Sequence, residues 1–295
     1  MGVDACRQGA RGDAEQQIVP AEMTARDVAI RIKGVSHEFG EPGEPFHVRA
    51  LLDTSLDIMR GELLCLIGPS GCGKSTLLNM IGGLLQPTAG MVEVGGKPVR
   101  APLPREIAFV FQENALFPWC SVIENVKLGM LFQGVAKAEQ EQRARKSLEA
   151  VGLKDFVNHY PAQLSGGMRQ RAALARALSL ETDILLMDEP FGALDEQTRM
   201  ILGEDLSALL ARAGKTIVFV THSLGEAVFL ADRVAVFSAR PGAIKAVIDI
   251  DEPYPRKPNF VTTEKFSRLR NTLYELLHDE IRKAVEQSAV AGPAS

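Results

Sequence analysis

A buried strand that breaks into a glycine-rich turn and resumes as a helix constrains this chain more than any other stretch. Leu63-Leu64-Cys65-Leu66-Ile67 is a continuous apolar run, Gly68-Pro69-Ser70-Gly71-Cys72-Gly73-Lys74-Ser75-Thr76 follows it, and Leu77, Leu78 and Ile81 continue at helical spacing. The turn fits G-x-x-x-x-G-K-[ST] in full, and a strand before with a helix after is the context that pattern requires. Glycines let backbone N–H groups converge on an anion without Cβ clashes, and the following helix N-terminus adds its positive end. In such a loop Lys74 reaches the β- and γ-phosphates and Ser75 holds Mg²⁺. The stretch is read as a nucleotide-binding site within an α/β body.

Composition bounds what surrounds it. The chain has 295 residues, 46% hydrophobic and 24% charged, which suits a soluble globular protein with a sizeable core. With 33 basic and 37 acidic residues the net charge is −4, so there is no electrostatic footprint for nucleic acid. No run approaches the ~18 apolar residues of a membrane span. Residues 1–26 mix charge, Gly and Gln without periodicity or a signal-peptide core, and are expected to form a flexible leader. Cys6, Cys65, Cys72 and Cys120 have no metal-ligand spacing, and ATP chemistry implies a reducing cytosol.

Along the chain, Val28-Ala29-Ile30-Arg31-Ile32 alternates as a strand, and Gly40-Glu41-Pro42-Gly43-Glu44-Pro45 separates it from a second at 51–58. The pair predicts an antiparallel flank beside the main sheet. Phe39 stands just before that turn, where an aromatic serves either packing or adenine stacking. Further strands are expected at 91–94 and 107–111, the latter closing at Gln112. From 121 to 148 the pattern is helical, and the charged span 137–146 is a solvated face. We expect an inserted helical subdomain over about 113–180.

Leu164-Ser165-Gly166-Gly167-Met168 opens another helix, and a serine with two glycines there supplies hydroxyl, free amides and dipole together. Ile184-Leu185-Leu186-Met187 is a fully buried strand ending in Asp188-Glu189. A carboxylate in that place holds Mg²⁺ beside the phosphates, and a second orients or deprotonates water. The run 216–220 repeats the pattern and ends at Thr221-His222. A lone histidine is ordinarily structural, but the C-terminal end of such a strand is where open α/β sheets bind ligands.

In order, Phe39, the 68–76 loop, Gln112, 164–168, 184–190, Gly192-Ala193-Leu194-Asp195 and His222 resemble the nucleotide-binding subunit of an ATP-binding-cassette transporter. The resemblance spans residues 27–250, and Met168 stands where many members have Gln. It implies a P-loop ATPase fold in which Phe39 stacks on adenine and Gly68, Pro69, Ser70, Gly71, Cys72, Gly73, Lys74, Ser75 and Thr76 cradle the phosphates of ATP. Mg²⁺ would be held by Ser75, Gln112 and Asp188. Glu189 would be the general base, with His222 and Gln112 at the γ-phosphate. Ser165, Gly166 and Gly167 would complete the site of a second subunit, and Asp195 would sit at that dimer seam. The helix N-terminus should also lower the pKa of Cys72 and make it reactive.

One cassette, no membrane spans and only about ninety residues between Lys74 and Leu164 point to a stand-alone subunit serving a separate permease. Phe117-Pro118-Trp119, the run 190–199 and Ser238-Ala239-Arg240-Pro241-Gly242 are similar to the nitrate, sulfonate and taurine group of bacterial importers. That implies a homodimer, or a pair with a similar ATPase, on the cytoplasmic face of the inner membrane. Its partners would be the permease and, indirectly, an extracytoplasmic solute-binding protein, with no nucleic acid. Phe117 and Trp119 either receive the permease or pack in the core. The alternatives are an exporter or lipid-handling ATPase and a soluble regulatory one. In the 251–295 extension, Phe266, Leu269, Leu273, Leu276, Leu277 and Ile281 recur at helical spacing, predicting one amphipathic helix packed on the body.

Overall fold

The computed structural model describes residues 28–41, 43, 47–192, 196–253 and 256–290, and every structural statement here concerns those residues. The leader expected at 1–26, Cys6 and Asp195 lie outside them.

The apolar runs become strands of two sheets. β1 (Val28–Phe39), β2 (Val48–Met59), β4 (Ala89–Val94) and β5 (Lys97–Pro98) form an antiparallel sheet in the order β2-β1-β4-β5. The second sheet runs β10-β9-β3-β8-β7-β6, from β3 (Leu63–Ile67), β6 (Ile107–Val110), β7 (Ile184–Asp188), β8 (Thr216–Val220), β9 (Arg233–Phe237) and β10 (Ile244–Asp249). Its strands are parallel except for β10, which returns antiparallel on β9. The strand expected at 91–94 therefore lies in the flank and not in the parallel sheet. Phe111 falls just past β6 and stacks on Phe109 with ring centroids 4.2 Å apart.

Strand periodicity explains why the central strands read as unbroken apolar runs. Leu64, Leu66, Leu186, Val218, Val220, Ala235 and Phe237 face one core, shared with β1, β2, β4 and the helix α1 (Lys74–Ile81). Their neighbours Leu63, Cys65, Ile67, Leu185, Met187, Ile217, Phe219, Val234 and Val236 face a second core on the other side. A parallel sheet covered on both faces has no polar positions to alternate with. Each fully buried leucine contributes about 1.5–3 kcal/mol, so these strands hold the molecule together.

The second core is closed by helices. Between β6 and β7 come α2 (Val122–Phe132), α3 (Lys137–Ala150) and α4 (Gly166–Leu178), followed after β7 by α5 (Glu196–Ala213) and α6 (Leu224–Leu230). Ser121 starts α2 with a capping box: its hydroxyl accepts from the Glu124 amide while Glu124 accepts from the Ser121 amide. On α3 only Gln140, Ala144 and Leu148 are buried, leaving the charged span facing solvent.

α7 (Glu264–Val290) is the predicted C-terminal helix, and Phe266, Leu273 and Leu277 are buried against the body with Leu269 and Leu276 beside them. Ile281 differs from expectation: it is exposed, and the preceding Glu280 takes the inward position. Glu280 is buried there because it has partners, accepting from the Ala239 amide at 2.9 Å and from Lys245 Nζ at 3.0 Å. Trp119 and Phe117 are both exposed, with ring centroids 5.5 Å apart, which removes core packing as their role.

Candidate nucleotide site

The phosphate loop is shaped by the strand that precedes it and the helix that follows. β3 ends at Ile67, and α1 begins at Lys74 with Gly73 as its N-cap, φ +100°. No side chain caps that helix, so its first amides are left for a ligand. A Cβ on Gly73 would stand 2.8 Å from the Ala50 carbonyl oxygen, which makes glycine obligatory there. Lys74 is buried and its Nζ donates to the carbonyls of Gly68 and Pro69, each at 2.9 Å. The ammonium thus lies folded over the loop.

Above the loop is a cavity of about 360 Å³ lined by Phe39, Val48, Ala50, Ser70, Gly71, Gly73, Lys74, Ser75, Thr76, Gln112, Glu189 and Arg240. Phe39 is half-exposed and packs edge-on against His37, centroids 4.5 Å apart. Gly68 and Cys72 are packed beneath: a Cβ on Gly68 would meet Cys72 Sγ at 2.8 Å. Cys72 corrects the expectation of a reactive thiol. Burial pushes its pKa up against the pull of Lys74, whose Nζ is 3.6 Å from the sulfur. Desolvation outweighs the helix end.

The carboxylates arrive from β7. Ser75 Oγ donates to Asp188 Oδ1 at 3.1 Å, joining phosphate loop and strand end. Burial pushes the Asp188 carboxyl up, and that hydrogen bond opposes it. These are hard oxygen donors set at the foot of a phosphate cradle, a set suited to Mg²⁺. Glu189 follows with φ +45°, a left-handed conformation that costs a non-glycine residue energy and turns its side chain toward the site. Its Oε2 accepts from Gln112 Nε2 at 3.4 Å and stands 3.4 Å from His222 Nδ1. Gln112, Glu189 and His222 follow the ends of neighbouring parallel strands β6, β7 and β8, so the sheet order brings the three together. Behind His222, Thr221 Oγ1 donates to the part-buried Glu226 at 2.5 Å and accepts from the Ser223 amide at 3.0 Å.

Ser165, Gly166 and Gly167 do not line this cavity. Ser165 caps α4 by accepting from the Met168 amide at 3.2 Å, and the two glycines form the first helical positions. Val48, Ala50 and Arg240 line the cavity and were not among the expected site residues. Their placement depends on β2 and β9 lying beside the loop, and strand neighbours are not written in local sequence.

Comparison with known proteins decides the family. The family model described as ABC transporter matches residues 51–192. An uncharacterised ABC transporter ATP-binding protein of Methanocaldococcus jannaschii is 42% identical over 268 residues, covering 90% of this chain and 98% of the relative. The chain belongs to the ABC transporter family. This ABC protein is also similar to taurine import ATP-binding proteins of Roseobacter denitrificans, 45% identical over 215 residues, with 73% and 80% of the two chains covered. For that of Pseudomonas aeruginosa the identity is 44% over 223 residues, covering 75% and 83%. Among solved structures, a dimeric bacterial ABC transporter cassette matches with TM-score 0.69 and 34% identity, covering 76% of this chain and 100% of that one. The same TM-score, 0.69, holds for a post-hydrolysis dimer bound to ADP and Pi, at 33% identity. This ABC protein is an ATPase with a P-loop α/β fold.

Proposed function

We propose that the protein is the ATP-hydrolysing subunit of an importer, paired with a second copy or a similar ATPase on a membrane permease at the cytoplasmic face of the cell membrane. The observation that carries the hydrolytic part is the convergence of Gln112 and His222 on Glu189 beside the Ser75–Asp188 pair. In that reading Lys74 leaves the carbonyls of Gly68 and Pro69 for the β- and γ-phosphates, and Phe39 stacks on adenine. Ser75, Asp188 and Gln112 would hold Mg²⁺, which neutralises phosphate charge when bound. Glu189 takes the proton of a water whose oxygen attacks the γ-phosphorus, the bond to the bridging oxygen breaks, and ADP leaves with inorganic phosphate. His222 and Gln112 orient that water and the γ-phosphate. Ser165, Gly166 and Gly167 do this from the partner's side, closing the dimer around ATP and excluding water.

The solute is proposed from the similarity to taurine import ATP-binding proteins: a small sulfonate or oxyanion, taurine first. A solute-binding protein outside the cell would deliver it to the permease. Exposed Phe117 and Trp119 suit the contact with that permease.

Glu189→Gln tests both parts. Steady-state phosphate release should fall at least about 100-fold, the lower end of what a general base contributes, while ATP binding persists. Wild-type turnover in the variant removes Glu189 from its role. The same variant, tagged and loaded with ATP, should carry a small polytopic permease out of detergent-solubilised native membranes. Recovery of exporter or lipid-handling components, or of soluble partners alone, overturns the importer reading.

A further inference from the structure

The turn between β9 and β10 places one arginine over the phosphate loop. Arg240 Nε donates to the Gly71 carbonyl at 3.1 Å. Its Nη2 lies so close that a Cβ on Gly71 would stand 2.7 Å from it. Gly71, at φ +73°, has no such atom, and the guanidinium occupies that space against the loop. The terminal amino groups of Arg240 have no protein partner among the described residues, although they border a cavity whose other cation, Lys74, is already bonded to carbonyls. A guanidinium with donors to spare beside a polyphosphate cradle matches phosphate oxygens in pairs.

The C-terminal helix fixes the turn on both sides of this arginine. Glu280 accepts from the Ala239 amide at 2.9 Å, and Gln287 Nε2 donates to the Arg240 carbonyl at 2.9 Å. Lys245 on β10 and Lys283 on α7 hold the Glu280 carboxylate at 3.0 and 2.9 Å. Ala284 and Gln287 also wall an adjoining cavity of about 380 Å³ that shares Val48, Ser70 and Arg240 with the first. The helix therefore reaches the nucleotide cavity through a single turn.

We propose that Arg240 is a further nucleotide-binding residue, taking the phosphates of ATP at the outer wall of the cavity, and that α7 is its positioning element through Glu280 and Gln287. This rests on the reading of the 68–76 loop as the ATP site. An attachment of this kind lets anything that loosens α7 weaken nucleotide binding without touching the loop.

Equilibrium binding of ATP to the full chain, over a range of salt concentrations, tests it. Arg240→Ala should weaken ATP about tenfold, and the affinity should become less sensitive to ionic strength because a charge–charge contact is gone. Arg240→Gln, which keeps a donor for Gly71, should show the same loss and the same flattened salt dependence if the alanine variant folds poorly. Gln287→Ala should weaken ATP less than Arg240→Ala does, and should add nothing in the Arg240→Ala background. Wild-type affinity in both Arg240 variants overturns the proposal, as does weakened affinity with unchanged salt dependence. An equal effect of Gln287→Ala in both backgrounds overturns the role of the helix. Failure of the underlying site looks different: Lys74→Ala would then bind ATP as tightly as the wild type.

Discussion

At the scale of single residues, what was legible is what is contiguous. The phosphate loop carries its own geometry, because glycine spacing and the lysine–serine pair are local facts, and the structure puts Lys74, Ser75 and Thr76 at one cavity with Phe39. Glu189 was legible as a carboxylate at a strand end, but not its φ of +45°, which the strand-to-helix turn imposes. Cys72 departs from expectation because proximity to a helix end is visible in sequence and burial is not. The consequence is testable: at neutral pH a maleimide should modify part-exposed Cys120 and spare Cys65 and Cys72, whose thiols burial pushes up. Peptide mapping of the native protein reads this directly, and early modification of Cys72 would contradict it. Arg240 belongs to the 238–242 stretch, yet its place at the cavity is not legible there, since it depends on β9 lying beside β3, Ile67 against Val236.

Among elements, periodicity located the strands and helices, and partners decided which way they face. α7 shows the difference. Its apolar positions predicted the buried stripe, yet Ile281 points outward because Glu280 makes three polar contacts on the inside. Burial alone would raise the Glu280 carboxyl, but the Ala239 amide, Lys283 and Lys245 outweigh it and hold the pKa at about 2. A carboxyl whose folded pKa is depressed stabilises the fold above its unfolded pKa and stops doing so as pH falls through the folded value. That sets the window between 4.5 and about 2. After discounting for the solvated lysine partners, the contribution is on the order of 2 kcal/mol. Thermal melts should therefore show wild type more stable than Glu280→Gln at pH 7, with the gap shrinking as pH falls through that window. A gap that does not change with pH would assign α7 docking to its apolar face alone.

For the whole molecule, Ser165, Gly166 and Gly167 stand apart from the cavity over the 68–76 loop, and the proposed function assigns them to the site of a second copy. If catalysis needs both, Ser165→Arg and Lys74→Ala should each be inactive alone, yet a mixture should regain part of the ATPase rate. In the mixed pair, one intact loop faces one intact serine–glycine segment. Steady-state phosphate release across mixing ratios measures this; wild-type turnover by Ser165→Arg alone would mean that hydrolysis does not use a second copy. Sequence could pair the segments by resemblance but not by distance, because the proposed contact is one between chains. A last consequence follows from the β9–β10 turn. Gly242 donates its amide to the Ala50 carbonyl and accepts from the Leu52 amide, both at 2.9 Å, and a Cβ there would strike the Cys72 carbonyl oxygen at 1.8 Å. This glycine pins the antiparallel sheet, which carries Phe39, to the sheet that carries the phosphate loop. If Phe39 seats the base as proposed, the span from that base to the loop is therefore set by the backbone of the two sheets and not by the ligand.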